Sequence, residues 1–372
     1  MNPSLPILYA IDASTHVTGA FTSLRIIAHT LHSAARIVLI IPQGHHIAAS
    51  EMMEFWRVET LPILAPSKRL SVLWRYLPAL LKSSWKLRRM MQRDRATCLL
   101  LNDFYLLQGV VMRLFYYRGY IATWVRCEPK RFAGPLTATI LTIMRHTSDS
   151  IVTVSHYIRN ILPASMHAKV IYNIYQGRMR QIQQWVQGPK PIVYVGNYIA
   201  GKGQDMALEA FAIAAQHDRD LQLHFYGSDM RLQKNRDYRS ALKTRAEQLA
   251  ISHRVTFGDF VADTFLILET AYMALNCSVS ESFSRTVLEA SGAGVAVIAT
   301  MSGGPQEILR DGETGYLIPV GDSEACATRM IELARDPYKT AIMGAAGAAH
   351  IAQHFSAEAI TNMLKTELNI RN

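Results

Sequence analysis

PIVYVGNYIAGKGQDMALEAF, residues 191–211, decides the fold: an apolar, β-branched run of strand length stops at Gly196–Asn197, a turn built on Gly201–Lys202–Gly203 follows, and a helical stretch begins. The same alternation recurs outward in both directions. Upstream it predicts strands at 6–12, 35–42, 96–102, 119–127, 148–155 and 168–173, and downstream at 191–197, 221–227, 254–259, 272–279, 295–300 and 315–320. Short apolar runs between longer helices are the pattern of parallel sheets buried on both faces. Between the two sets, 176–190 (QGRMRQIQQWVQGPK) has no strand pattern. The expectation is therefore an α/β protein of two doubly wound, Rossmann-like domains: 1–178 as the N-terminal domain, a linker at 179–190, 191–352 as the C-terminal domain, and 353–372 as a C-terminal helix free to pack back on the first domain. Ligands of such sheets bind outside the carboxyl ends of the strands, so the expected site is the cleft where two such domains face each other.

The 372-residue length suits two domains, and 49% hydrophobic with 18% charged residues excludes a disordered, collagen-like or coiled-coil chain. Cys98, Cys127, Cys277 and Cys326 form no C-x-x-C pair, which argues for reduced structural thiols rather than a disulfide framework or a zinc site. The start lacks a basic n-region, and no window of about 20 residues is apolar and uncharged, so neither a signal peptide nor a membrane span is expected. The net charge of +10 is lopsided. Residues 1–186 hold 22 Lys/Arg against 8 Asp/Glu, whereas 187–372 hold 17 against 21, so the basicity belongs to the first half. That half suits an anionic partner.

The richest chemistry lies in 277–320, CSVSESFSRTVLEASGAGVAVIATMSGGPQEILRDGETGYLIPV. Two carboxylates, Glu281 and Glu289, stand eight positions apart. With a helix from about Phe283 onward, they would lie roughly 12 Å apart along its axis, near the span of a nucleotide sugar from hexose to ribose. The diphosphate would then meet the free N–H groups at the helix start.

This segment, together with YVGNYIAGKGQDMALEAF (194–211), FYGSD (225–229) and RVTFGDF (254–260), resembles the retaining, nucleotide-sugar-dependent glycosyltransferases of family 4, which have the GT-B fold. The resemblance covers most of the second half. In the first half it is reduced to the glycine turn at Gly19 and to Val154–Ser155. It implies Glu281 toward the donor sugar, Glu289 on the ribose, the amides near Phe283 and Ser284 toward sugar and phosphate, and Lys202 on the diphosphate. Gly19, Gly196, Asn197 and Arg285 complete the implied donor set. Three departures stand out. Asn197 occupies the position of the usual arginine, which leaves more charge to Lys202 and Arg285. Ser282–Phe283–Ser284 replaces the common Gly-Phe-Gly and is expected to narrow the space at the sugar. No histidine occupies the stretch of Thr123, Arg126 and Glu128, and His16, near Gly19, is a lesser candidate. The implied reaction retains anomeric configuration, uses no protein nucleophile and requires no metal or other cofactor. Asp218–Arg219–Asp220 resembles a metal-binding D-x-D but falls at the amino end of its strand, away from the ligand edge.

Segment 67–95 carries nine Lys/Arg and one acid. Arg75, Lys82, Lys86, Arg89 and Arg93 recur at helical spacing, while Leu73, Leu77, Leu80, Leu87 and Met91 recur on another face. With Trp74 and Trp85, this is the pattern of a helix lying on an anionic membrane, or of an ordinary helix packed on the sheet and broken or kinked at Pro78. The leading expectation is a transferase of a hexose to a lipid-linked, lipopolysaccharide-type or exopolysaccharide-type acceptor, peripheral on the cytoplasmic face of the plasma membrane. A nucleotide-sugar epimerase or a phosphorylase shares the fold. A nucleic-acid partner has no recognisable motif to support it.

Overall fold

A computed structural model describes residues 4–64, 70–130, 134–181 and 188–370. The readings on 67–69, on the Leu73 side chain and on 182–187 of the linker fall outside them. The chain divides into two units, Met1–Ile174 with Ala357–Asn372, and Tyr175–Ser356.

The first unit holds seven parallel strands: β1 (Ile7–Ile11), β2 (Arg36–Pro42), β3 (Arg57–Leu61), β4 (Cys98–Leu101), β5 (Tyr120–Val125), β6 (Ser150–Thr153) and β7 (Lys169–Val170), in the order β3-β2-β1-β4-β5-β6-β7. Six were expected. The additional strand, β3, has the sequence RVETL, buries only Leu61 fully and pairs with β2 alone, so its charged, half-exposed edge position hides the apolar run by which strands are recognised. By contrast β1 (ILYAI) and β4 (CLLL) are buried at every position, as a sheet covered on both faces requires. The helix Leu70–Arg93 runs unbroken through Pro78. The C-terminal helix Ala357–Glu367 packs within this unit. Its buried Glu367 accepts hydrogen bonds from Ser150 Oγ at 2.7 Å and Lys169 Nζ at 2.5 Å.

The second unit holds β8 (Lys190–Val195), β9 (Leu221–Tyr226), β10 (Val255–Gly258), β11 (Met273–Asn276), β12 (Ala296–Thr300) and β13 (Tyr316–Ile318), all parallel, in the order β10-β9-β8-β11-β12-β13. Its core joins Tyr194, Phe211, Phe225, Tyr272 and Met330 under the flanking helices. Both sheets start in the middle, build outward to one side and return to build the other. The direction of winding thus reverses between β1 and β4 in the first unit and between β8 and β11 in the second. Those reversals open crevices at the carboxyl edge, where the loops diverge.

Candidate active site

In the second unit the crevice is bordered by the loops after β8, β11 and β12. The loop after β8 carries Lys202 between two left-handed glycines, Gly201 at φ +91° and Gly203 at φ +81°. Gly203 is required twice over, because a Cβ there would also fall 1.9 Å from the carbonyl oxygen of Cys277. The buried Tyr194 hydroxyl donates to the Lys202 carbonyl and accepts from the Cys277 amide at 3.0 Å, tying this loop to the end of β11. Burial pushes that phenol well above its ordinary pKa, so it stays a neutral donor.

The main chain of Lys202 is thereby fixed, and its side chain is left to reach Glu281. Lys202 Nζ lies 2.8 Å from Glu281 Oε1, and Ser278 Oγ donates to the same oxygen at 2.8 Å. The Glu281 backbone is clamped between the loops after β11 and β12, with its amide on Ser302 O at 2.9 Å and its carbonyl accepting from Gly304 N at 2.8 Å. Gly304 must be glycine here, since a Cβ would come 2.2 Å from the Cα of Phe283. An ammonium and a carboxylate are thus held side by side at the winding reversal. Both groups can be taken over by a ligand that is anionic at one point and hydroxylated at another.

Glu289 is held differently. It accepts from Arg285 Nη2 at 2.5 Å and from Thr264 Oγ1 at 3.0 Å. The helix carrying it is Arg285–Gly292, so half of the interval between the two glutamates is loop, and the expected helical rise from Glu281 to Glu289 does not apply. Phe283 is buried with its ring 5.9 Å from that of Phe355, and Ser284 precedes the helix at φ +76°. Ser284 Oγ accepts from Asn276 Nδ2 at 3.2 Å, so the serine is a strained, buried anchor of the turn rather than a simple narrowing of it.

Other implied donor residues are already engaged. The Gly196 amide donates to Tyr226 O at 2.9 Å, and Asn197 Oδ1 accepts from Ser228 N at 3.0 Å, so these two groups serve to join the loops after β8 and β9. Gly19 belongs to the first unit, as the first residue of the helix Gly19–Thr30 capped by Thr18, and is not needed for a left-handed turn. Asp218 pairs with Lys190 at 2.7 Å and accepts from the Asp220 amide at 2.8 Å at the start of β9. Sequence reasoning missed Ser278, Tyr194 and Thr264. Ser278 stands three residues before Glu281 in one loop and was within reach of a motif search, whereas Thr264 lies 25 residues from Glu289 and carries no local signal.

At the corresponding reversal of the first unit the polar groups bond to one another. Asn102, after β4, donates to Asp12, after β1. Arg126, after β5, donates to Asn102 Oδ1 and, at 3.1 Å, to Asn173 Oδ1. Asp103 beside them accepts from the amides of Phe104 at 2.9 Å and Arg126 at 3.2 Å, and burial pushes its carboxyl up to about 7. The His16 ring lies tilted against that of His46 with centroids 5.0 Å apart, and Thr123 Oγ1 lies 2.7 Å from Ser148 Oγ.

The basic helix turns a second apolar stripe outward. Tyr76, Leu80, Leu87 and Met91 are buried, but Leu77, expected beside them, is 53% exposed in line with Trp74 (83%), Leu81 (50%) and Trp85 (48%). Arg75, Lys82, Arg89 and Arg93 are exposed alongside, Lys86 is half-buried, and the Arg89 guanidinium sits 4.5 Å over the Trp85 ring. No helix among the described residues is long and apolar enough to cross a membrane.

The comparisons point to a glycosyltransferase. Residues 176–350 match the family described as glycosyl transferases group 1, a match that spans nearly the whole second unit. Among relatives, the lipopolysaccharide core biosynthesis glycosyltransferase LpsE of Rhizobium meliloti is 28% identical over 46% of this chain and 47% of its own length. The GDP-mannose-dependent alpha-(1-6)-phosphatidylinositol monomannoside mannosyltransferase of Mycolicibacterium smegmatis is 26% identical over 57% of this chain and 60% of its own. The chain spans between about one third and three fifths of the length of the curated relatives it matches. In fold the likeness is complete: the structure of Anabaena Alr3699/HepE in complex with UDP and glucose superposes with a TM-score of 0.81, covering 98% of this chain and 99% of that one at 19% identity.

Proposed function

We propose that this chain is a retaining glycosyltransferase of the family 4 type, moving a hexose from a nucleoside-diphosphate sugar to a hydroxyl of a lipid-linked, lipopolysaccharide-type or exopolysaccharide-type acceptor. The observation that carries the reading is the Lys202–Glu281 pair at the winding reversal of the second sheet. In the proposed reaction the acceptor oxygen bonds to the anomeric carbon on the face from which the diphosphate leaves. The bond from that carbon to the diphosphate oxygen breaks, and the acceptor proton passes to the departing phosphate. Lys202 and the amides at the start of Arg285–Gly292 meet the charge that develops on the leaving oxygens, so the scheme calls on no metal. Glu281 accepts hydrogen bonds from the sugar and Glu289 from the ribose. Relatives that act on lipopolysaccharide core and on a phosphatidylinositol mannoside support the acceptor class. The test is a panel of UDP- and GDP-sugars incubated with membrane lipid extract, with product followed into the organic phase. Sugar nucleotides that neither bind nor turn over with the full chain would sink the proposal.

The acceptor class calls for a protein at a lipid surface, and the outward stripe of Trp74, Leu77, Leu81 and Trp85 flanked by Arg75, Lys82, Lys86, Arg89 and Arg93 suits the cytoplasmic, anionic face of a plasma membrane. Replacing Lys82, Lys86, Arg89 and Arg93 by Gln should cost up to roughly 4 kcal/mol of partitioning, at about 1 kcal/mol per cation, and less at high salt. Co-sedimentation with vesicles containing anionic lipid measures this. Unchanged sedimentation would reduce the stripe to a solvated helix face.

A further inference from the structure

Lys202 and Glu281 neutralise each other as they stand. Among the described residues Glu281 is the one hydrogen-bond partner of Lys202 Nζ, and a diphosphate, with more negative charge than a carboxylate, competes for that ammonium. If Lys202 turns to the diphosphate, Glu281 loses its cation just when its carboxylate must stay in place for the sugar. Ser278 is built to keep it there. Its side chain is wholly buried, and its backbone is pinned because its carbonyl accepts from Thr300 Oγ1 at 2.6 Å. Its hydroxyl has one proton, and within its reach lie Glu281 Oε1 at 2.8 Å, the Lys202 carbonyl at 3.3 Å and the neutral Tyr194 hydroxyl. The nearer, ionised acceptor takes the proton. The Lys202 carbonyl keeps its bond from Tyr194, so the lysine loop does not depend on the serine.

We propose that Ser278 is a positioning residue that holds the Glu281 carboxylate when Lys202 exchanges it for the diphosphate of the donor. The inference rests on the donor-site reading above, and its test separates the two. UDP and GDP are titrated into the full chain by calorimetry, and nucleotide release is followed from UDP-glucose, UDP-N-acetylglucosamine and GDP-mannose, with each variant's fold checked by thermal unfolding.

Exchange predicts that Glu281→Gln binds the preferred diphosphate threefold or more tighter than wild type, because the competitor for Lys202 is weakened. Ser278→Ala should change diphosphate affinity less than twofold, yet lower kcat on the preferred sugar nucleotide about tenfold with KM within threefold. Because it acts through Glu281, Ser278→Ala should slow a Glu281→Ala background less than twofold. A Ser278→Ala loss of the same size in both backgrounds, or no tightening in Glu281→Gln, overturns the proposal and leaves the donor site standing. Unchanged UDP and GDP affinity in Lys202→Ala sinks the donor site itself, and this inference with it.

Discussion

The two sheets reverse their winding at equivalent places, and the two crevices are used in opposite ways. Between β1 and β4, Asp12, Asn102, Arg126 and Asn173 are buried and bond to one another, with Arg126 only 8% exposed. Between β8 and β11, Lys202 keeps a third of its side chain exposed (35%) and holds Glu281 by bonds that a ligand can replace one for one. The same topology gives a staple in one unit and an exchangeable pair in the other. What decides is whether the polar groups are spent within the protein.

The largest effect that would test this contrast is on stability. Arg126→Leu leaves Asn102 and Asn173 without their shared donor and should lower the unfolding free energy by roughly 3–5 kcal/mol, from two buried hydrogen bonds to a charged group at about 1.5–3 kcal/mol each, with UDP or GDP affinity untouched. A loss under about 1 kcal/mol in denaturant titration would mean the first crevice is not a staple. Lys202→Ala should behave in the reverse sense: unfolding near wild type, but kcat lower by about a hundredfold or more, from roughly 2.7–4 kcal/mol of lost charge stabilisation. Activity within threefold of wild type would remove Lys202 from the diphosphate.

Within the second crevice, Glu289→Gln should weaken donor binding by roughly 1.5–3 kcal/mol, seen in KM, because ribose hydroxyls change no charge as the bond breaks, while Glu281→Gln acts mainly on kcat. Equal splits for both would erase the distinction between the two carboxylates. Taken per pH unit, the smallest effect comes from titration of a buried acid. Asp103 titrates near 3.8 when unfolded and is pushed up to about 7 by burial, so the folded state holds the extra proton between those values. Stability should therefore fall as pH rises from about 4 to about 7, by at most about 1.4 kcal/mol per pH unit, and level off above. Asp103→Asn should flatten that slope, and a slope that survives the substitution would have to come from another group.

Much of this was legible beforehand where burial and chemistry leave a local mark. All twelve expected strands form, because parallel strands covered on both faces must be apolar throughout. β3 escaped because Arg57 and Glu59 interrupt its apolar run. Lys202, Glu281 and Glu289 stood out through glycine-flanked or fixed spacing. Their partners did not: Tyr194 and Thr264 are brought to the site by strand order and loop path, and a short-range pattern records neither. Leu77 fell on the wrong face because helical periodicity gives two apolar stripes on this helix and cannot say which one the sheet covers.

The second unit enters and leaves the first through adjacent backbone, with the amide of Tyr175 on the carbonyl of Phe355 at 2.8 Å. In the order of synthesis it is an insertion into an unfinished domain. The first sheet is made early, but the helix that seats Glu367 against Ser150 and Lys169 emerges only after Tyr175–Ser356 has been made, roughly ten to forty seconds later at ordinary rates of elongation. Over that interval the nascent first unit lacks the contacts that helix makes with β6 and β7. A stop codon placed after Ser356 would spare the whole second unit and still leave the first one open.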